Sequence, residues 1–244
     1  MSSPLIGTII NDQYRLIEVL GEGGMGIVYK AEDLNLNDRL CAVKLLKGQT
    51  TDPNEAKRFE AELQIISRLR SPHVVQVLNK GYIEGYRLFI VMELLEGEPL
   101  SALIKNEGKL QVKRAIQITK GILAGLSEAH EYGVVHRDLK PANIFITRSR
   151  ARDEITKVLD FGIAKDTNSQ DSTGLTSASM IIGTPKYMAP EQFMKEDTDP
   201  RTDLYAVGLL LYQMLAGRPP YEATSPLVPD TLKRMPSEFK VGRL

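Results

Sequence analysis

The chain has 244 residues, 42% of them hydrophobic and 25% charged, with one cysteine and no tryptophan. At about 150 residues per domain, that length holds one large domain or two small lobes, and it can bury a core without disulfide staples. With 31 basic and 31 acidic side chains, no net charge is available for phosphate-backbone binding, which argues against a nucleic-acid partner. Cys41 has no second cysteine to pair with, so a reducing compartment is expected. Apolar runs such as residues 89–92 and 209–212 fall far short of the ~18 needed for a membrane span. Met-Ser-Ser-Pro at the N-terminus lacks the charged and apolar regions of a signal peptide. A soluble, cytoplasmic protein is the expectation.

In chain order, residues 14–20 alternate as a strand and stop at a glycine cluster, Gly21-Glu22-Gly23-Gly24-Met25-Gly26. Residues 27–31, 40–46 and 88–94 read as further strands. Asp52 and Pro53 supply an N-cap and a first-turn proline, with Glu55 at the capping-box position. The helix they start runs to about Leu69 and is stopped by Ser71-Pro72. After Pro99 the pattern turns helical. Residues 112–132 form a long amphipathic helix closed by Gly133, and residues 203–216, apolar nearly all round, read as a buried central helix closed by Gly217. Between them lie short strands and a long Ser/Thr/Asn-rich loop, residues 165–182; such a loop inside a compact domain is usually functional. Arg148-Ser149-Arg150-Ala151-Arg152 reads as an exposed hairpin tip. A strand-rich beginning and a helix-rich remainder predict two lobes joined near residues 93–97.

The spacing Gly21-x-Gly23-x-x-Gly26 occurs in several nucleotide-binding folds and also in ordinary hairpin turns. Glycines let backbone N–H groups approach phosphates without side-chain collision. A dinucleotide-binding fold would need a helix directly after the loop. Here Ile27-Val28-Tyr29-Lys30 is β-rich, so the loop joins two strands. On the next strand, Ala42 and Lys44 share one face and Cys41 and Val43 the other. A small residue and a cation on one face suit a purine with its phosphates, while Cys41 reads as a small buried hydrophobe rather than a reactive thiol. On the helix that follows, at about 100° per residue from Phe59, Leu63 falls at about 40°, Ile66 at about −20° and Leu69 at about −80°. Glu62, at about −60°, lies inside that apolar arc, where an unpaired carboxylate is costly. Lys44 is its expected partner. His73 and His130 are too scattered for a metal site and read as structural.

Val135-His136-Arg137-Asp138-Leu139-Lys140-Pro141-Ala142-Asn143 concentrates a base, two cations and a metal-capable amide. Asp160-Phe161-Gly162 and Ala189-Pro190-Glu191 follow. In order and spacing these segments, with the glycine loop and the strand lysine, resemble the protein kinase family over residues 14–221. The wording Gly-Glu-Gly-Gly-Met-Gly, with Gly183-Thr184-Pro185-Lys186-Tyr187-Met188 before Ala189, looks like the bacterial branch of eukaryote-like (Hanks-type) serine/threonine kinases. The resemblance implies an α+β, two-lobed protein-kinase-like fold. Its N-lobe, residues 14–95, would be an antiparallel sheet with one helix, and its C-lobe, residues 96–221, mainly helical. Residues 222–244 would be a truncated or divergent tail, because the family's last helices do not fit into it.

By the same resemblance, the reaction is transfer of the ATP γ-phosphate to protein Ser/Thr hydroxyls. Lys44 would hold the α/β-phosphates and pair with Glu62. Asn143 and Asp160 would bind Mg²⁺, which takes hard oxygen ligands. Asp138 would accept or orient the hydroxyl proton, and Lys140 would neutralise the moving γ-phosphate, with Thr184 completing the serine/threonine pattern. Gly21, Gly23 and Gly26 would cradle phosphates. Val28 and Ala42 would lie above the adenine and Phe145 below it. Met92 aligns with the gatekeeper, and Glu93 and Leu95 would hydrogen-bond the adenine edge through their backbone. His136, Phe161, Ile66 and Val77 match the family's inter-lobe hydrophobic stack, and Asp203 matches the acid that braces the catalytic loop.

Arg137 before Asp138 goes, in this family, with control by activation-loop phosphorylation. Thr176 is the first candidate, with Ser177, Ser179 and Thr173 as secondary ones, and Arg137 and Lys165 as phosphate partners. Self-association during autophosphorylation would follow. Glu191 is expected to lack its usual arginine, and the apolar face of the 203–216 helix to be partly uncovered. Two readings therefore stand: an ATP-dependent serine/threonine kinase, and a truncated or non-catalytic kinase-like module that binds nucleotide or a partner.

Overall fold

Alternation of buried Tyr14 and Leu16 with exposed Arg15 starts a strand that carries one apolar face. The computed structural model describes residues 5–24, 26–46, 61, 63–83, 87–148, 153–161, 185–194 and 196–220. They form two units, Met1–Arg70 with Val75–Glu96, and Ser71–Val74 with Gly97–Leu244.

The first unit is an antiparallel six-stranded sheet in the order β1-β2-β3-β4-β6-β5. Its strands are β1 (Ile9–Ile10), β2 (Tyr14–Gly23), β3 (Gly26–Asp33), β4 (Arg39–Leu46), β5 (Val77–Ile83) and β6 (Arg87–Glu93). Sequence reading misses β1 and β5, the two edges. β2 runs past Leu20 into the glycine cluster, which is therefore the tip of a hairpin with Gly23 opposite Gly26. Register shifts between Leu16 and Glu18 and between Val19 and Gly21 bend it on the way. Opposed residues share a face. Tyr29, Ala31, Cys41, Val43, Leu45, Phe89 and Val91 therefore pack with Tyr14 and Leu16 into one core. Phe89 meets Tyr14 edge-on at 6.1 Å. Leu63, Ile66 and Leu69 are buried as their spacing predicts; the start of that helix and Glu62 lie outside the described residues.

In the second unit, β7 (Gly97–Pro99), β8 (Ile144–Arg148) and β9 (Glu154–Val158) form a small antiparallel sheet. The helices are α1 (Leu100–Glu107), α2 (Val112–Glu131), α3 (Pro190–Met194) and α4 (Pro200–Ala216). α2 buries Ala115, Ile118, Ile122, Leu126 and Ala129 at helical spacing. Its Gly125 lets the backbone of His73 lie against the helix, since a Cβ there would sit 2.8 Å from the His73 carbonyl oxygen. Ser71–Val74 is thus docked on this unit: the Ser71 N–H donates to Glu128 at 2.6 Å, and the Val158 N–H to the His73 carbonyl at 2.8 Å.

α4 starts at Pro200 rather than Asp203, because the Asp199 side chain caps it by accepting from the Arg201 N–H and Pro200 fits the first helical position. Nor is it buried all round. Thr202, Asp203, Ala206, Val207, Leu209, Leu210 and Met214 are buried, whereas Leu204 is 49% exposed. One side of the helix carries the packing, and the uniformly apolar sequence does not reveal which.

Candidate active site

In the first unit, Val28 lies opposite Lys44, Ala42 opposite Met92, and Lys44 opposite Ile90. Val28, Ala42, Lys44 and Met92 consequently share the sheet face opposite the aromatic core. Lys44 is only 6% exposed and Ala42 7%. Glu93 at the end of β6 accepts from the Gln76 N–H at 2.8 Å and its own N–H donates to the Gln76 carbonyl. Leu95 follows in the segment between β6 and Gly97.

The three glycines of the loop differ in kind. A Cβ on Gly26 would sit 2.2 Å from the Leu45 carbonyl oxygen, so strand pairing alone demands glycine there. At Gly21 and Gly23 a Cβ would meet nothing within 4 Å. Among the described residues their smallness serves no protein contact, and the backbone there is left uncovered.

On the core side of the sheet, Cys41 is 1% exposed, lies 3.6 Å from the Ala31 carbonyl, and burial pushes its thiol up to about 11. It is a core residue.

In the second unit, the segment between α2 and β8 carries Asp138, Lys140 and Asn143. Asp138 is 8% exposed and Asn143 6%. The Lys140 ammonium donates to Asp138 Oδ2 at 2.8 Å. Asn143 Nδ2 donates to the Asp138 carbonyl at 2.9 Å, which leaves Oδ1 as its acceptor end. The Leu159 N–H donates to the Asn143 carbonyl, and the Leu159 carbonyl accepts from His136 Nε2, each at 2.8 Å. The residue before Asp160 is thereby held at both ends of its backbone. His136 Nδ1 accepts from the Asp138 N–H at 3.2 Å, so the hydrogen bonds place the imidazole proton on Nε2. Burial holds that ring below its ordinary pKa, against the pull of Asp203 and the Leu159 carbonyl. It packs against Phe161, the ring centroids 4.8 Å apart and the planes tilted by 42°. Phe145 lies on β8 opposite Pro99.

Beneath the loop, Asp203 is 1% exposed and accepts three bonds: from the His136 N–H at 2.8 Å, the Arg137 N–H at 2.9 Å and His130 Nε2 at 2.8 Å. Arg137 and Asp160 both have positive φ, 61° and 50°. For residues other than glycine this is a strained backbone that the surroundings must impose. A recess beside the loop is lined by Asp138, Leu139, Tyr187, Met188, Gln192 and Ala206.

A family model described as "Protein kinase domain" matches residues 14–240. The chain belongs to this family. The match begins where the motifs begin and continues past Tyr221 through most of the tail. The kinase domain is 42% identical to serine/threonine-protein kinase pkn3 of Myxococcus xanthus over 222 residues, covering 90% of this chain and 40% of that protein. It is 41% identical to serine/threonine-protein kinase PknH of Mycobacterium tuberculosis over 213 residues, 87% of this chain and 33% of that protein. The chain thus spans a third to two-fifths of the length of these curated relatives. Among solved structures, the Mycobacterium tuberculosis PknI kinase domain superposes with a TM-score of 0.71 at 27% identity, over 90% of this chain and 80% of that one. The fold is the protein-kinase fold, in its bacterial serine/threonine branch.

Of the residues expected in this kinase domain's site, Glu62, Thr184, Lys165 and the phosphorylation candidates Thr173, Thr176, Ser177 and Ser179 lie outside the described residues. The structure adds three that the motifs leave out, His130, Thr202 and Gln192, and gives Tyr187 of the Gly-Thr segment a partner. His130 pairs with Asp203. Thr202 donates its hydroxyl to Glu191 Oε1 at 2.6 Å, a contact of a different kind from the arginine pairing expected to be missing. Gln192 joins the Ala189 N–H to the Arg137 carbonyl. Tyr187 donates to Gln213 at 2.6 Å, and burial raises its pKa. Among the described residues no cluster of three or more His, Cys, Asp or Glu could hold a metal, and no helix is long and apolar enough to cross a membrane.

Proposed function

We propose that this domain transfers the γ-phosphate of ATP to serine or threonine hydroxyls of protein substrates, and that it phosphorylates its own activation loop at Thr176 or the neighbouring Thr173, Ser177 and Ser179. The observation that carries the reading is the buried carboxylate of Asp138, held with the Lys140 ammonium 2.8 Å away on a loop pinned by Asp203. Asp138 accepts the proton of the attacking hydroxyl as it attacks the γ-phosphorus, and Lys140 balances the charge on the departing phosphoryl group. The face of Val28, Ala42 and Lys44 suits adenine and phosphates, with Met92, Glu93 and Leu95 at the adenine edge; Phe145 as a further adenine contact and Glu62 as the partner of Lys44 rest on the family resemblance alone. The open backbone at Gly21 and Gly23 suits the phosphates.

The donor set fits Mg²⁺. Asn143 Oδ1 and the Asp160 carboxylate are hard oxygens, and Mg²⁺ is ordinarily held by one or two such groups together with substrate phosphates. When bound, it neutralises phosphate charge.

Incubation with Mg·ATP followed by intact-mass measurement tests the reading, beside an Asp138→Asn control. Phosphate gain in the wild type that the control lacks is the expected result. ATP-dependent thermal stabilisation without phosphate gain would refute catalysis and favour a nucleotide-binding module.

A further inference from the structure

Among the described residues with positive φ that are not glycine, Arg137 alone is neither Asn nor Asp. Asn and Asp tolerate that region through local hydrogen bonds of their short side chains. Arginine has no such compensation, so contacts from elsewhere must hold it. On its N–H side the holder is Asp203. On its carbonyl side it is Gln192, whose Nε2 donates to the Arg137 oxygen at 2.8 Å. The Arg137 carbonyl belongs to the same planar peptide as the Asp138 N–H, and that N–H donates in the opposite direction to His136 Nδ1. Gln192 and His136 therefore grip the two ends of the peptide that sets where the Asp138 side chain points.

The other end of the Gln192 amide accepts from the Ala189 N–H at 3.0 Å. Its neighbour Glu191 is tied to α4 through the Thr202 hydroxyl. One side-chain amide thus connects the Ala-Pro-Glu segment to the catalytic loop, 55 residues earlier in the chain.

We propose that Gln192 is a positioning residue for phosphoryl transfer: it fixes the Arg137–Asp138 peptide, and with it the aim of the Asp138 carboxylate, and it transmits the placement of the Ala-Pro-Glu segment to that carboxylate. The proposal rests on the reading of Asp138 as the proton acceptor.

Gln192→Glu tests it with little change of shape. The carboxylate still accepts from the Ala189 N–H but sets an acceptor against the Arg137 carbonyl. Gln192→Met, which removes both bonds, is the second variant. For both, kcat and KM for Mg·ATP are measured with the thermal midpoint, together with hydrogen exchange of the peptide spanning residues 134–140. A misplacement of about 1 Å can lower turnover about 10²-fold, so kcat should fall at least about tenfold in each. KM for ATP should stay within about twofold, and kcat measured well below the midpoint should fall by more than any lowering of the midpoint explains, with exchange of the peptide faster. Exchange and kcat both unchanged in Gln192→Glu would overturn the proposal. So would losses of activity that merely track a lowered midpoint in both variants. A wild-type domain that transfers no phosphate, with exchange still accelerated in the variants, would refute the functional reading and leave the clamp standing.

Discussion

Replacing Asp203 by asparagine keeps the shape of a side chain that is 1% exposed and removes its charge. Oδ1 serves the Arg137 N–H, while Oδ2 serves the His136 N–H and His130 Nε2. Whichever oxygen becomes the amide nitrogen, one backbone N–H of the loop then faces another donor. His130 can adapt by moving its ring proton to Nδ1; a backbone N–H cannot. One charge-assisted bond is lost, worth roughly 1.5–3 kcal/mol, and one buried N–H is orphaned at roughly 1–3 kcal/mol, or about 2.5–6 kcal/mol together. Against a domain stability of about 5–15 kcal/mol this is a large fraction. Backbone strain at Arg137, roughly 1–3 kcal/mol, is then no longer opposed on its N–H side. The loop should relax, and kcat should drop by at least about 10²-fold. Urea unfolding and steady-state kinetics of Asp203→Asn measure the two effects. A stability loss below about 1 kcal/mol with kcat within twofold of wild type would refute the argument that Asp203 imposes the loop geometry.

Other substitutions separate the remaining parts. Gly26→Ala should destabilise the protein by roughly 1–3 kcal/mol through collision with the Leu45 carbonyl, whereas Gly23→Ala should leave the thermal midpoint nearly unchanged and raise KM for ATP; equal effects on the midpoint would contradict the distinction. Thr202→Val removes the hydroxyl that Glu191 accepts and should cost roughly 1.5–3 kcal/mol in urea unfolding; a neutral result would show the bond to be dispensable. His136 has a folded-state pKa below its usual ~6.5, so at lower pH the unfolded chain binds a proton that the folded chain resists. Stability should therefore fall below about pH 6.5, by up to about 1.4 kcal/mol per unit, until the folded pKa is reached. Unfolding at pH 7.5, 6.5 and 5.5 should show a steeper acid loss in the wild type than in His136→Gln, and parallel slopes would count against the buried neutral imidazole.

Much of this kinase domain was legible from residue order alone. The glycine cluster between two β-rich runs reads as a strand-to-strand turn, and the 3.6-residue spacing predicts the burial of Leu63, Ile66 and Leu69 and the extent of α2. The ordered motifs identify the family. These features are local: each depends on residues within a few positions, where propensity and periodicity act. Tertiary structure alone decides that Gly26 is required by strand approach while Gly21 and Gly23 are not, and that Glu191 answers to Thr202. It also decides which side of an all-apolar helix is buried, leaving Leu204 half exposed. Above all, it decides that Arg137 takes a positive φ, a conformation arginine does not choose for itself. That angle is imposed by Asp203 and Gln192, 66 and 55 residues away along the chain, and no local pattern encodes a hydrogen bond across that separation.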